Sequence, residues 1–91
     1  MINQETIVAL ATPSGAGAIA IIRLSGNEAI TIASSVFESV SGKNIQKQKT
    51  HTIHLGHIVD NGKIYDQILL SIFKNPHSYT GEDVVEISCH G

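Results

Sequence analysis

The apolar positions of this chain change period twice, and each change marks a predicted element. "TIVALAT" (Thr6–Thr12) is a short β-branched run stopped by Pro13, which predicts a first strand. A tight small-residue connection, "PSGAG", leads into "AIAIIRL" (Ala18–Leu24), a second strand that stays apolar until Arg23. The period then lengthens: Ala29, Ile30, Ala33, Val36, Phe37 and Val40 recur at helical spacing through "AITIASSVFESV". Ser25 precedes Glu28 at the spacing of a capping box, and Gly42 supplies a helix stop.

Beyond the polar interval Lys43–Lys49 the period returns to two. "THTIHLGHIVD" and "KIYDQILLSIF" flank "DNGK", and Asn-Gly between strand-like runs is a strong hairpin signal. A loop, "KNPHSYTGED", precedes the last strand, "VVEISCH". Its alternation sets Val84, Glu86, Ser88 and His90 on one face, and Val85, Ile87 and Cys89 on a second, core-facing side. The order β-β-α-β-β-β predicts an α+β domain: a mixed or antiparallel sheet of about five strands with one helix.

With 91 residues there is room for one small domain, which buries only about 60% of its unfolded surface. A 42% hydrophobic content argues for a folded core, and two Phe, two Tyr and no Trp leave that core to aliphatic residues. The net charge of -2 argues against direct RNA binding by this chain, since phosphate contacts call for a basic surface. Lys43, Lys47 and Lys49 form the one local excess, and a solvated loop accounts for it better than a phosphate contact. The single cysteine, Cys89, excludes an internal disulfide and fits a reducing compartment. The N-terminus lacks the basic start of a signal peptide, and its apolar run is too broken to span a membrane. A soluble, cytoplasmic protein with no membrane partner is expected.

Several motifs are weaker than they look. "GAGAIA" (Gly15–Ala20) fits G-x-G-x-x-A after a strand, with Glu38 further on, as a dinucleotide fingerprint requires. That fingerprint works only when a helix starts inside it, and here a β-branched strand follows instead. A turn joining two strands explains it better. No G-x-x-x-x-G-K-[ST] phosphate loop is present. Of the five histidines, His51, His54 and His57 cluster in sequence, but strand alternation turns His54 away from the other two. Ser78, Ser88, His90 and Glu86 do not make a convincing nucleophile, base and orienting group, and there is no G-x-S-x-G elbow. No catalytic residue and no metal ligand is assigned.

Arg23 and Glu86 remain. Each is a lone charge in a strand otherwise suited to burial, where a charge is costly unless neutralised. Either they pair with each other or face solvent at a sheet edge, or they line a shared ligand pocket. In a pocket, the carboxylate suits an amino-pyrimidine edge, and the guanidinium can fork onto a carboxylate or a carbonyl.

"TIVALATPSGAGAIAIIRLSG", "HTIHLGHIVD" and "PHSYTGEDVVEISCHG" together closely resemble the N-terminal domain of the bacterial tRNA modification GTPases of the MnmE, or TrmE, family. The last of these segments is highly specific. The helix matches more weakly, and Gly42–Lys49 carries no information. The resemblance implies a cytoplasmic protein whose N-terminal domain is similar to the tetrahydrofolate-binding fold of the glycine cleavage T-protein. It implies a homodimer that binds 5-formyl-tetrahydrofolate, a stand-in for the one-carbon donor. Arg23 corresponds to the folate-contacting arginine of the family motif, and Glu86 to its glutamate.

For the whole protein, the resemblance implies a GTP hydrolase dependent on magnesium and stimulated by potassium. Its FAD-dependent partner is of the MnmG type, and the pair modifies the wobble uridine of tRNA. By the same resemblance residues 1–91 are expected to be a first domain cut short at its C-terminal end, lacking the GTPase domain and any catalytic centre of its own. The family's usual P-P-G-R-G-G turn is replaced by Ser14, Ala16 and Ala18 in "PSGAGA", which removes an arginine and narrows the turn's backbone freedom. The alternative reading is a module for dimerisation only, with no competent ligand site in this fragment.

Overall fold

The computed structural model describes residues 6–10, 19–75 and 81–90. Six strands form one sheet: β1 (Ile7–Leu10), β2 (Ile19–Ser25), β3 (Phe37–Ser39), β4 (Thr52–Asp60), β5 (Lys63–Phe73) and β6 (Val84–His90). One α-helix among the described residues, α1 (Ala29–Val36), follows β2, and a 3-10 turn (Ile45–Lys47) lies between β3 and β4. The spatial order is β1-β2-β6-β5-β4-β3, and every neighbouring pair is antiparallel. The α+β expectation holds, with six strands rather than five and no parallel pairing among the described residues.

β6 holds the sheet together. It enters last and lies between β2 and β5, joining the β1–β2 pair to the β3–β4–β5 unit. Ladder hydrogen bonds on both sides explain why this strand carries Val84 and Val85 fully buried, although they point to opposite faces. Val84, placed by alternation on the face opposite the core, is flanked by Ser25 and Phe73 on the neighbouring strands.

One face of the sheet is covered. Ile22 and Leu24 of β2, Ile68, Leu70 and Ile72 of β5, and Val85, Ile87 and Cys89 of β6 meet Ala29, Ile30 and Ala33 of α1. Phe37 and Ile45 close the cluster at its far side. Leu70 and Ile72 are fully enclosed, and burying such a side chain contributes about 1.5–3 kcal/mol. β1 lies beyond the reach of the helix, and Ile7, Val8 and Leu10 are all more than half exposed.

The Asn-Gly hairpin forms as the sequence predicts. Asp60 pairs with Lys63 across Asn61 and Gly62, whose φ angles are 51° and 78°. Both central residues left-handed is the turn that matches strand twist, and Asn and Gly are the residues that accept it.

Two local expectations fail, for tertiary reasons. The helical period runs to Val40, but α1 ends at Val36 and Phe37–Ser39 form β3 against β4. The Phe37 ring lies over Gly56, so close that a Cβ at Gly56 would collide with the ring and with the Glu38 carbonyl oxygen. A missing side chain on β4 thus captures the aromatic ring, and three residues with a helical pattern become a strand. Gly42 accordingly sits in the turn after β3, where its N–H donates to the Ser39 carbonyl, and does not stop the helix.

The capping box does not form either. Ser25 is the last residue of β2, in register with Ile7 and Val84, and the residue preceding α1 is Glu28, with no side-chain cap. The Ser25 hydroxyl instead reaches the Glu82 carboxylate at 3.5 Å, and the Glu28 N–H donates to Thr6 Oγ1 at 3.0 Å.

Candidate functional site

Arg23 and Glu86 stand directly opposite each other on β2 and β6, in register, on the face of the sheet that the helix leaves open. Arg23 Nε–H donates to Glu86 Oε2 at 2.8 Å and Nη2–H to the same oxygen at 2.5 Å. The two residues are 63 positions apart in sequence, and the late insertion of β6 beside β2 makes them neighbours. Of the readings the sequence left open, mutual pairing is realised. The side chains keep 36% and 22% of their surface accessible, so the pair is reachable by a ligand. An ion pair of that exposure contributes about 0–1 kcal/mol to stability, too little to be the reason two charges stand in apolar strands.

Register defines the surroundings. Ala9 lies beside Arg23 on β1, and Ser71 lies beside Glu86 on β5. One row over, Ile21, Ser88 and Leu69 line up across β2, β6 and β5. The pair is thus set in a surface of small, hydroxyl-bearing and aliphatic side chains, Leu69 being 45% exposed. At the end of the sheet, Gly26 N–H donates to the Asp83 carbonyl and Asn75 N–H to Asp83 Oδ1, which holds Asn75 and Asp83 together beside Gly26. Nothing in the sequence singles out Ser71, and the pattern there marks Ser25 only as a helix cap. The hairpin signal alone could not say which strand would neighbour β6.

The other sequence candidates separate. His54 is 93% enclosed, being 7% exposed, with its ring nitrogen Nε2 2.8 Å from Thr52 Oγ1. His57 lies on the other face of β4, as alternation predicts. His51 precedes the strand with a φ of 61° and stacks edge-on against Phe73, ring centres 5.3 Å apart. Among the described residues no three metal-type ligands converge. β2 begins at Ile19, so a strand and not a helix follows "GAGAIA", against the dinucleotide fingerprint. Ser14, Ala16, Ala18 and Ser78 lie outside the described residues, as does the side chain of His90. Lys43, Lys47 and Lys49 are exposed, in keeping with a solvated loop. No helix among the described residues is long and apolar enough to cross a membrane.

A six-stranded antiparallel sheet with a helix on one face and a charged pair on the other defines, among the described residues, a small α+β domain. Residues 6–91 match the family described as "GTP-binding protein TrmE N-terminus", and the chain belongs to it. It is 70% identical over all 91 residues to a tRNA modification GTPase MnmE of Flavobacterium johnsoniae and 74% identical to that of Flavobacterium psychrophilum. To the protein of the same name in Geobacillus thermodenitrificans it is 50% identical over 93 aligned positions. In each case the whole chain is covered, and it spans 20% of the relative's length.

Proposed function

We propose that this chain is the folate-binding and dimerisation domain of a tRNA-modifying GTPase, with Arg23 and Glu86 as its ligand contacts. The observation that carries the proposal is the cross-strand pair: two charges of little structural value, in register and solvent-accessible, on the open face of the sheet. Family membership gives that pair its context.

The ligand is 5-formyl-tetrahydrofolate or a related tetrahydrofolate. Its pterin ring ends in an edge of N–H donors beside a carbonyl. Arg23 and Glu86 touch, so they serve one end of an elongated molecule, and the pterin edge fits both. Glu86 accepts the ring N–H groups while Arg23 turns from Glu86 to the carbonyl. Neither charge is left without a partner during this exchange, which keeps the desolvation cost of binding low. On this reading the domain would share the tetrahydrofolate-binding fold of the glycine cleavage T-protein, as its family resemblance implies.

Homodimerisation is supported by exposed aliphatic surface on β1. Ile7, Val8 and Leu10 are 52–60% exposed on a four-residue edge strand, where unpaired backbone and apolar side chains invite a second chain. The GTP, magnesium and potassium chemistry, the MnmG-type FAD-dependent partner and the wobble uridine of tRNA belong to the whole protein in this reading.

Titration of 5-formyl-tetrahydrofolate into the purified protein by calorimetry tests the ligand, and sedimentation at micromolar concentration tests the dimer. A dimer with no heat of folate binding leaves dimerisation alone as the function. Unchanged folate affinity in both Arg23→Ala and Glu86→Gln would remove these residues from the site.

A further inference from the structure

A cleft lies at the β3–β4 end of the sheet, away from the Arg23–Glu86 pair. β3 pairs with β4 only from Phe37–Ile58 to Ser39–Gly56, and the chain then turns away. Val40 N–H still reaches the Leu55 carbonyl at 3.0 Å, but among the described residues the first half of β4 has no strand paired on the edge away from β5. Backbone groups of alternate residues point the same way along a strand, so Ile53 directs its N–H to this same edge. Between the departing turn and β4 opens a cleft of about 270 Å³.

Its lining is divided by chemistry. Val40, Ile53 and Leu55 form an apolar wall and are 57%, 66% and 46% exposed. Lys43, the enclosed ring of His54 and the hydroxyl-bearing Ser39 and Ser41 supply the polar lining, and no carboxylate among the described residues lines the cleft. Lys43 is the charged group that acts on His54. Leu70 on β5 and Thr52 on β4 flank the ring, and neither carries charge. His54 is otherwise out of place: it occupies a core-facing position between Thr52 and Gly56, where an aliphatic residue would bury more cheaply.

We propose that this cleft binds a small carboxylate bearing a short aliphatic chain, the carboxylate seated by Lys43, His54 and the Ile53 N–H, and the chain laid on Val40, Ile53 and Leu55. An apolar wall with a few convergent polar groups is the general form of a small-molecule site. An anion there supplies the counter-charge that a protonated His54 lacks beside Lys43. Binding and proton uptake at His54 are therefore linked, and affinity rises as pH falls.

Hexanoate is the probe, added to the intact protein while the His54 ring signals are followed by NMR. The expected result is saturable binding, with the His54 pKa raised and affinity growing about tenfold for each unit of that rise. Lys43→Gln, an exposed substitution that leaves the core untouched, is expected to weaken hexanoate at least about fivefold. Inorganic phosphate and hexylamine are the controls. Phosphate binding as tightly as hexanoate overturns the apolar half of the proposal, and hexylamine binding equally overturns the anionic half. An unmoved His54 signal at millimolar hexanoate overturns the whole. Folate binding at Arg23 and Glu86 is independent of these outcomes.

Discussion

Arg23 and Glu86 face each other in register across β2 and β6, and two donors of the guanidinium converge on one carboxylate oxygen. In the proposed function, a ligand binds by exchanging with this ion pair. Its value to stability and its value to binding should therefore separate. Arg23→Ala and Glu86→Gln are each expected to shift unfolding stability by no more than about 1 kcal/mol, since the pair is part exposed. The same variants are expected to lose about 2 kcal/mol or more in affinity for 5-formyl-tetrahydrofolate, because each removes a charge-assisted contact. Urea unfolding and calorimetric titration on the same samples check both halves.

Phe37 and Gly56 set the end of the helix. Gly56→Ala places a methyl group against the Phe37 ring and the Glu38 carbonyl oxygen. A loss of about 1–3 kcal/mol is expected from this overpacking. Adding Phe37→Ala relieves the ring but not the backbone contact, so the double variant should recover only part of the coupling. A urea-based double-mutant cycle gives the answer.

Leu70 is fully enclosed at the centre of the covered face, with Ile87 in register on one side and His54 on the other. Leu70→Ala is expected to cost about 2–5 kcal/mol, the range for a buried leucine whose cavity cannot collapse. Leu69→Ala, one residue away on the open face, removes a side chain that is 45% exposed and should cost far less. Comparing the two denaturation midpoints tests which face of β5 is the core.

His54 ties stability to pH. Burial, and then the charge of Lys43, hold its imidazole below the ordinary value of 6.5. As pH falls through that value the unfolded chain takes up the proton first, so this residue destabilises the fold progressively below it. Above pH 6.5 its contribution is constant, and the decline ends once the folded form also protonates. The slope from this group is at most about 1.4 kcal/mol per pH unit. Denaturation midpoints measured on both sides of pH 6.5 should fall toward acid in the wild type and fall less steeply in His54→Gln.

Local pattern determined much of this protein without help from the fold. "DNGK" dictated the β4–β5 hairpin because Asn61 and Gly62 accept left-handed backbone, and the alternation in "VVEISCH" put Ile87 and Cys89 on the core side. The same alternation kept Glu86 off that side, since it is a property of each strand alone. Strand order is not such a property. That β6 would lie beside β2 depends on pairing across more than sixty positions, and only that pairing brought two isolated charges together as one candidate site. The helix boundary was decided the same way. Residues 29–40 carry a helical period, but the space above Gly56 offered Phe37 a better burial than a further helical turn, and packing outweighed local preference. Ser25 likewise carried a capping signal and became a ladder residue, because its register with Ile7 and Val84 left it inside the sheet. The cleft beside His54 lay beyond sequence altogether, for it exists only where β3 stops short of the length of β4.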